Sequence, residues 1–178
     1  MDISYGGRHG FNQAIDLASD VLTNVKFSQE RKLIKSYFEQ IATESEKVCF
    51  GLDETMYCLE LGAIETLICW ENLEAIRYIV RQSGTEATSI KFAINDKIEL
   101  DVTKDCELEE KIPLLEWLAD NYTSYGSKLE LITDASEEGS QFVNGFGGLG
   151  AILRYRVQMP SEWANDGTEE DEFNLDDY

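Results

Sequence analysis

Gly145, Gly147, Gly148 and Gly150 crowd into six positions of QFVNGFGGLGAILRYRV, the stretch from Gln141 to Val157. A glycine cluster can cradle phosphate when it follows a strand and opens a helix, because the first helical amides then point at the anion. The patterns on either side run the other way here, helix before and strand after, and no Lys-Ser or Lys-Thr pair follows. Phe146 also fills the space that a phosphate would need. The phosphate reading therefore fails, and two readings stay open. In one, Gly145 stops a helix in the left-handed conformation, its neighbours permit tight turns or close approach, and Phe146 and Leu149 fill the core. In the other, at least one of these two apolar side chains points outward and anchors a partner protein.

Other reactive residue types do not assemble into a site. His9 is the only histidine, and no serine, cysteine or acid lies at a catalytic spacing from it. Asp53-Glu54 and Glu137-Glu138 fall where helices begin, and acids there favour the helix dipole without any acid–base role. Cys49, Cys58, Cys69 and Cys106 lack the paired spacing of a zinc site and read as small buried hydrophobes in a reducing compartment. No catalytic residue, metal or cofactor is expected.

Charge narrows the choice of partners. The net charge is −20, from 15 Lys+Arg against 35 Asp+Glu; Ser161 to Tyr178 carries eight of the acids and no base, which leaves −12 on residues 1 to 160. Such a surface repels a nucleic-acid backbone, excluding DNA and any broad RNA interface. Lys26, Arg31, Lys32 and Lys35 form the one basic edge that could touch ribosomal RNA. No apolar run reaches the roughly 18 residues of a membrane span, and the N-terminus has no signal-peptide pattern, so the cytoplasm is the expected location. The same negative charge opposes self-association, and a monomer is expected.

The elements that must position these residues follow from periodicity. Phe11, Ala14, Ile15, Ala18, Val21, Leu22 and Val25 recur every three or four residues, predicting a first helix, and a second is predicted over Ser28 to Thr43. KVCFG reads as a short strand, Asp53 to Leu61 as a helix ended by Gly62, and Ala63 to Trp70 as a buried strand: a parallel crossover unit. AIRYIVRQ, SIKFAIN and KIELDV (Lys97 to Val102) alternate apolar and polar residues, which predicts a small antiparallel insertion between Leu73 and Glu110. Pro113 suits the first turn of a helix that stops at Gly126. Lys128 to Thr133 is a strand offering Leu129, Leu131 and Ile132 for burial. Asp134 and Glu137 then space as a capping box for a helix through about Asn144, and Ala151 to Val157 is the last strand. Residues 165–178 are too acidic and too poor in apolar side chains to order, and are expected to be a disordered tail.

The chain closely resembles the C-terminal domain of the eukaryotic class 1 peptide chain release factors. YGGRHGFNQAIDLASDVLTNVKFSQERKLI, CFGLDETMYCLELGAIETLICWENL, PLLEWLADNY, LITDASEEGSQFVNGFGGLGAILRYRV and DEFNLDDY carry the resemblance, which spans nearly the whole chain. It implies an α-β-α sandwich over residues 1–164 with an inserted β-rich mini-domain at about 73–110, followed by the acidic tail. It also implies a noncatalytic protein-interaction domain of a translation termination factor.

The implied partner is the class 2 release-factor GTPase, with the ribosome and a ribosome recycling factor as further partners in the full protein. The implied contact residues are Phe142, Gly145, Phe146, Gly147, Gly148, Leu149, Gly150 and Tyr155, with Phe146 and Leu149 foremost and Tyr155, like Ile152, serving mainly the fold. The insertion is implied to influence stop-codon selectivity. The family's Asn-Ile-Lys-Ser and Gly-Gly-Gln motifs do not occur; Gly6-Gly7-Arg8 is not the latter, and Met1 stands just ahead of this domain. Arg8-His9, Tyr57-Cys58, Leu149 and Ala151 depart from the commoner family text, and the insertion matches it least.

Overall fold

The computed structural model describes residues 8–82, 88–94 and 106–160, with the side chains at the N-terminal end of the first helix left aside. That helix, α1 (Arg8–Ala42), is continuous over 35 residues. Two helices were expected; the apolar stripe does shift phase near Val25, but neither Gly nor Pro separates Val25 from Ser28, so nothing breaks the backbone hydrogen bonds. β1 (Val48–Phe50), α2 (Leu52–Glu60) and β2 (Ile64–Trp70) follow, close to their predicted bounds. Later come α3 (Leu114–Asn121), a 3-10 turn over Tyr122–Tyr125, β6 (Lys128–Ile132), α4 (Glu137–Phe146) and β7 (Leu149–Leu153). The predicted stop at Gly126 is left-handed, with φ 70°.

The first sheet has the order β1-β7-β2-β6. β7 is antiparallel to both β1 and β2, while β2 and β6 are parallel. β1 and β2 therefore run in the same direction, as the crossover reading requires, but the last strand of the sheet is threaded between them. Alternation then sorts the side chains. Cys49, Leu67, Cys69, Leu149, Ala151 and Leu153 pack with Met56, Cys58 and Leu59 of α2 and Leu114 and Leu118 of α3. Ile68, Ile132, Val48 and Ile152 pack with Ile34, Tyr37, Phe38 and Ile41 of α1 and Phe142 of α4. Leu131, expected to be available for burial, is 42% exposed because β6 is an edge strand.

Between β2 and α3 lies a second, antiparallel sheet of order β4-β3-β5: β3 (Ala75–Gln82), β4 (Thr88–Ile94) and β5 (Cys106–Pro113). The strand expected at Lys97 to Val102 lies outside the described residues, as does the acidic tail. β5 itself was not foreseen: its glutamates dilute the apolar alternation, and charges of this kind blunt an edge strand against mispairing. Pro113 ends β5 and stands just before α3 rather than inside its first turn. The sheet is tied to α3 by Arg77, whose guanidinium lies 4.8 Å from the Trp117 ring centre and 3.5 Å from the Glu110 carboxylate.

Cys49, Cys58 and Cys69 are fully buried, as the sequence suggested; the side chain of Cys106 lies outside the described residues. Burial pushes the Cys69 thiol up to about 12, and the neighbouring Cys58 thiol together with burial holds Cys49 up as well. A thiolate is the reactive form. The thiols of Cys49 and Cys69 should therefore resist a disulfide reagent at neutral pH in the native protein and react at once in denaturant. Rapid native-state modification of Cys69, read by peptide mass, would contradict this.

Among the described residues, no helix is long and apolar enough to cross a membrane, and no group of His, Cys, Asp and Glu is placed to hold a metal ion.

Candidate docking surface

α4 is capped by Ser136, whose hydroxyl accepts a hydrogen bond from the Gly139 amide at 3.0 Å. The cap expected at Asp134 thus falls two residues later, and no capping box forms, because the third helical residue is Gly139, which has no side chain to reach back. A serine in the extended conformation satisfies the third helical amide directly, and Glu137 takes its place in the first turn, where a negative charge suits the dipole. α4 ends at Phe146, two residues beyond expectation. The left-handed stop is Gly147 (φ 73°), followed by Gly148 (φ 74°), while Gly145 is helical.

The two positive-φ residues turn α4 directly into β7. The Gly147 amide donates to the Val143 carbonyl, and the Gly148 carbonyl accepts from the Trp70 amide at 2.8 Å. A Cβ on Gly148 would lie 2.9 Å from the Trp70 Cβ. The turn therefore sits at the carbonyl end of a helix, with peptide groups already paired, which disfavours an anion.

Gly150 has a different task. Its site lies on the α1–α4 face of the sheet, opposite Phe50 and Ile68. A Cβ there would lie 2.9 Å from the Tyr37 hydroxyl and 3.0 Å from the Cys49 carbonyl. The bare backbone lets Tyr37 donate to that carbonyl at 3.0 Å in the core. Burial pushes the Tyr37 hydroxyl well above its ordinary pKa, so it remains a donor.

Above this hydrogen bond stands an aromatic cluster. Tyr37 meets Phe142 edge-on at 5.4 Å, and Phe146 meets Phe50 at 5.5 Å, Phe38 at 5.7 Å and Tyr37 at 6.0 Å. Phe142 is fully buried, Phe146 and Phe38 are half-buried, and Phe50 is 44% exposed. The cluster thus grades from core to surface, and Phe146 is its step to the outside.

Leu149 is only 2% exposed, packed on the α2–α3 side of the sheet. The expectation that its side chain offers an anchor is corrected: position 149 is already in β7, and alternation turns it inward. Gly148 and Gly150 are buried too, whereas Gly145 and Gly147 are exposed. Tyr155 is half exposed and donates to the Leu61 carbonyl at 3.3 Å, beyond the far end of β7. It does not join the cluster around Phe146.

The four cations also divide. Arg31, Lys32 and Lys35 line a groove of about 440 Å³ with Asn24, Phe27, Ser28 and Glu138. Lys26 lines another, of about 400 Å³, beside Lys128 and Leu131. Arg31 donates to the Glu138 carboxylate at 3.2–3.3 Å. Glu138's own amide, and then Arg31, hold its carboxyl below the usual range. The pair is therefore fully formed above the ordinary carboxylate pKa and is lost only as pH falls through the depressed one.

Sequence reasoning missed Glu30, which is 5% exposed and accepts from the Thr133 amide and hydroxyl, both at 3.0 Å. This buried acid ties α1 to the loop before α4. A glutamate on a helix gives no sequence signal for such a role.

A family model described as eRF1 domain 3 matches residues 27–157. The Caenorhabditis elegans protein named eukaryotic peptide chain release factor subunit 1 is 47% identical over 184 residues, covering 100% of this chain and 31% of that protein. Subunit 1-1 of the same factor from Arabidopsis thaliana is 48% identical over 175 residues, covering 94% of this chain and 40% of its own length. The chain thus spans less than half the length of these curated relatives. Among solved structures, the C-terminal domain of a peptide chain release factor from Methanosarcina mazei superposes with a TM-score of 0.75 at 20% identity, over 86% of this chain and 99% of that one. Pelota from Archaeoglobus fulgidus gives 0.55 at 21%, over 89% and 40%. At these identities the two structures establish a shared fold.

Proposed function

The chain belongs to the eRF1 domain 3 family, and from that membership we propose that it is the noncatalytic docking module of a translation termination factor, binding the class 2 release-factor GTPase. The observation that carries this reading is Phe146: half-buried at the end of α4, it continues a packed aromatic core out to the surface beside Phe38 and Phe50. Rigid aromatic side chains of this kind lose little entropy on binding and make effective anchors.

In this reading Gly147 and Gly148 act by fixing where Phe146 stands, Phe142 and Gly150 support it from beneath, and Leu149 anchors the start of β7 on the opposite face of the sheet. The same reading takes residues 1–164 as one domain, an α-β-α sandwich with the mini-domain inserted at about 73–110. In the full protein the module helps seat the factor on the ribosome and meets a recycling factor, and the mini-domain tunes stop-codon selectivity.

Calorimetric titration of the purified chain with the GTPase should give saturable binding. A folded chain that shows none at high micromolar concentration overturns the reading. Phe146→Ala should weaken binding about tenfold or more, the range of a truncated anchor, with the fold checked separately by circular dichroism. Unchanged affinity removes Phe146 from the interface.

A further inference from the structure

The groove beside Arg31 and the aromatic surface at Phe146 lie along the same pair of helices. Asn24, Phe27, Ser28, Arg31, Lys32 and Lys35 recur every three or four residues, so they make one stripe of α1, and Phe38 is its next member. α4 runs beside this stripe in the same direction: Glu138 pairs with Arg31 at one end, and Phe146 packs on Phe38 at the other. Seven helical residues separate Arg31 from Phe38, a rise of about 10 Å.

The α1–α4 surface is therefore apolar at one end and cationic at the other. Only part of the cationic charge is answered internally. Glu138 takes Arg31, whose side chain is still 61% exposed, and Lys32 and Lys35 enter no ion pair among the described residues. On a chain of net charge −20, this local excess of positive charge stands out against its background.

We infer that this stripe is one composite docking surface, and that its occupant is a protein segment carrying a bulky apolar side chain for Phe38 and Phe146 and carboxylates about 5 and about 9 Å further along the helix axis for Lys35 and Lys32. The inference rests on the docking function proposed above and assigns the chemistry of the partner at that same surface. A nucleic-acid backbone fits less well. Glu138 projects its own carboxylate into the groove, and the surrounding negative charge acts on every phosphate of a long polyanion, whereas a protein segment needs only two or three local acids. The apolar end would fix register and slow dissociation, and the cationic end would speed encounter and reject partners that lack the acids.

The test uses the whole chain, the class 2 release-factor GTPase, and the double variant Lys32→Glu/Lys35→Glu. Both lysines are exposed on a long helix, so the variant should fold, which its thermal melt checks. Binding is measured at about 0.05 M and about 0.5 M salt, above and below which screening differs strongly. The expected result is an association about tenfold or more weaker at low salt, mainly through a slower on-rate, with the difference largely gone at high salt. Phe146→Ala should weaken binding at both salt concentrations. If Phe146→Ala weakens the complex while the double variant leaves affinity and salt dependence unchanged, the inference falls and the docking reading stands. Failure of the unaltered chain to bind overturns both. Loss of binding to a ribosomal RNA fragment in the double variant, with GTPase affinity intact, makes the groove an RNA site and also overturns the inference.

Discussion

Phe142→Ala is expected to destabilise the protein by about 3–5 kcal/mol, the range for emptying a fully buried aromatic site. Phe142 has no exposed surface, meets Tyr37 edge-on, and lies within 3.3 Å of a Cβ placed on Gly150. Tyr37 is held by its hydrogen bond to the Cys49 carbonyl, and Gly150 is fixed by pairing on both sides, so the surroundings have little freedom to close the hole. Urea unfolding should show a lower midpoint at unchanged slope. A loss under about 1 kcal/mol would mean that the cluster repacks and that Phe142 does not support Phe146.

Gly148→Ala should cost about 2–4 kcal/mol, and Gly147→Ala clearly less. Both residues have positive φ, so each alanine carries the left-handed penalty of about 1–2 kcal/mol. Only at Gly148 would the new methyl also meet a neighbour, the Trp70 Cβ at 2.9 Å; at Gly147 the space is open. The difference between the two variants therefore isolates the steric contribution of packing on β2. Equal destabilisation, measured in the same urea titrations, would show that backbone conformation alone sets the glycine requirement of this turn.

Much of this arrangement can be read from the residue order. The helix–glycine–strand polarity of Gln141 to Val157 rejects phosphate binding, because an amide-lined cradle needs the opposite polarity, and the structure has α4, two left-handed glycines and β7 in that order. The crossover formed by β1, α2 and β2, the stop at Gly126 and the antiparallel insertion follow from short-range patterns. The family itself is legible in long ordered matches, which the model match over residues 27–157 bears out.

What could not be read depends on contacts across the chain. Gly145 and Gly147 are equivalent as helix stops until the strand after them is placed; pairing of Leu149 with Cys69 fixes the turn at Gly147 and sends Leu149 inward. Ser136 competes with Asp134 for the cap, and the tight approach of Gly139 to the Thr133 carbonyl favours the serine. Phe50, which completes the exposed aromatic surface, lies about 100 residues from Phe146 in sequence and reaches it only through the pairing of β1 with β7.

β7 is an interior strand and, among the described residues, the last one in sequence, which has a consequence for biosynthesis. Until the ribosome has made Leu153, β1 and β2 have no strand to join them, and only the parallel β2–β6 pair of this sheet can form. Nascent chains shorter than this would hold unpaired strand borders, which chaperones cover and which otherwise seed aggregation. Completion of the sheet should therefore occur late and abruptly, once the final strand clears the exit tunnel.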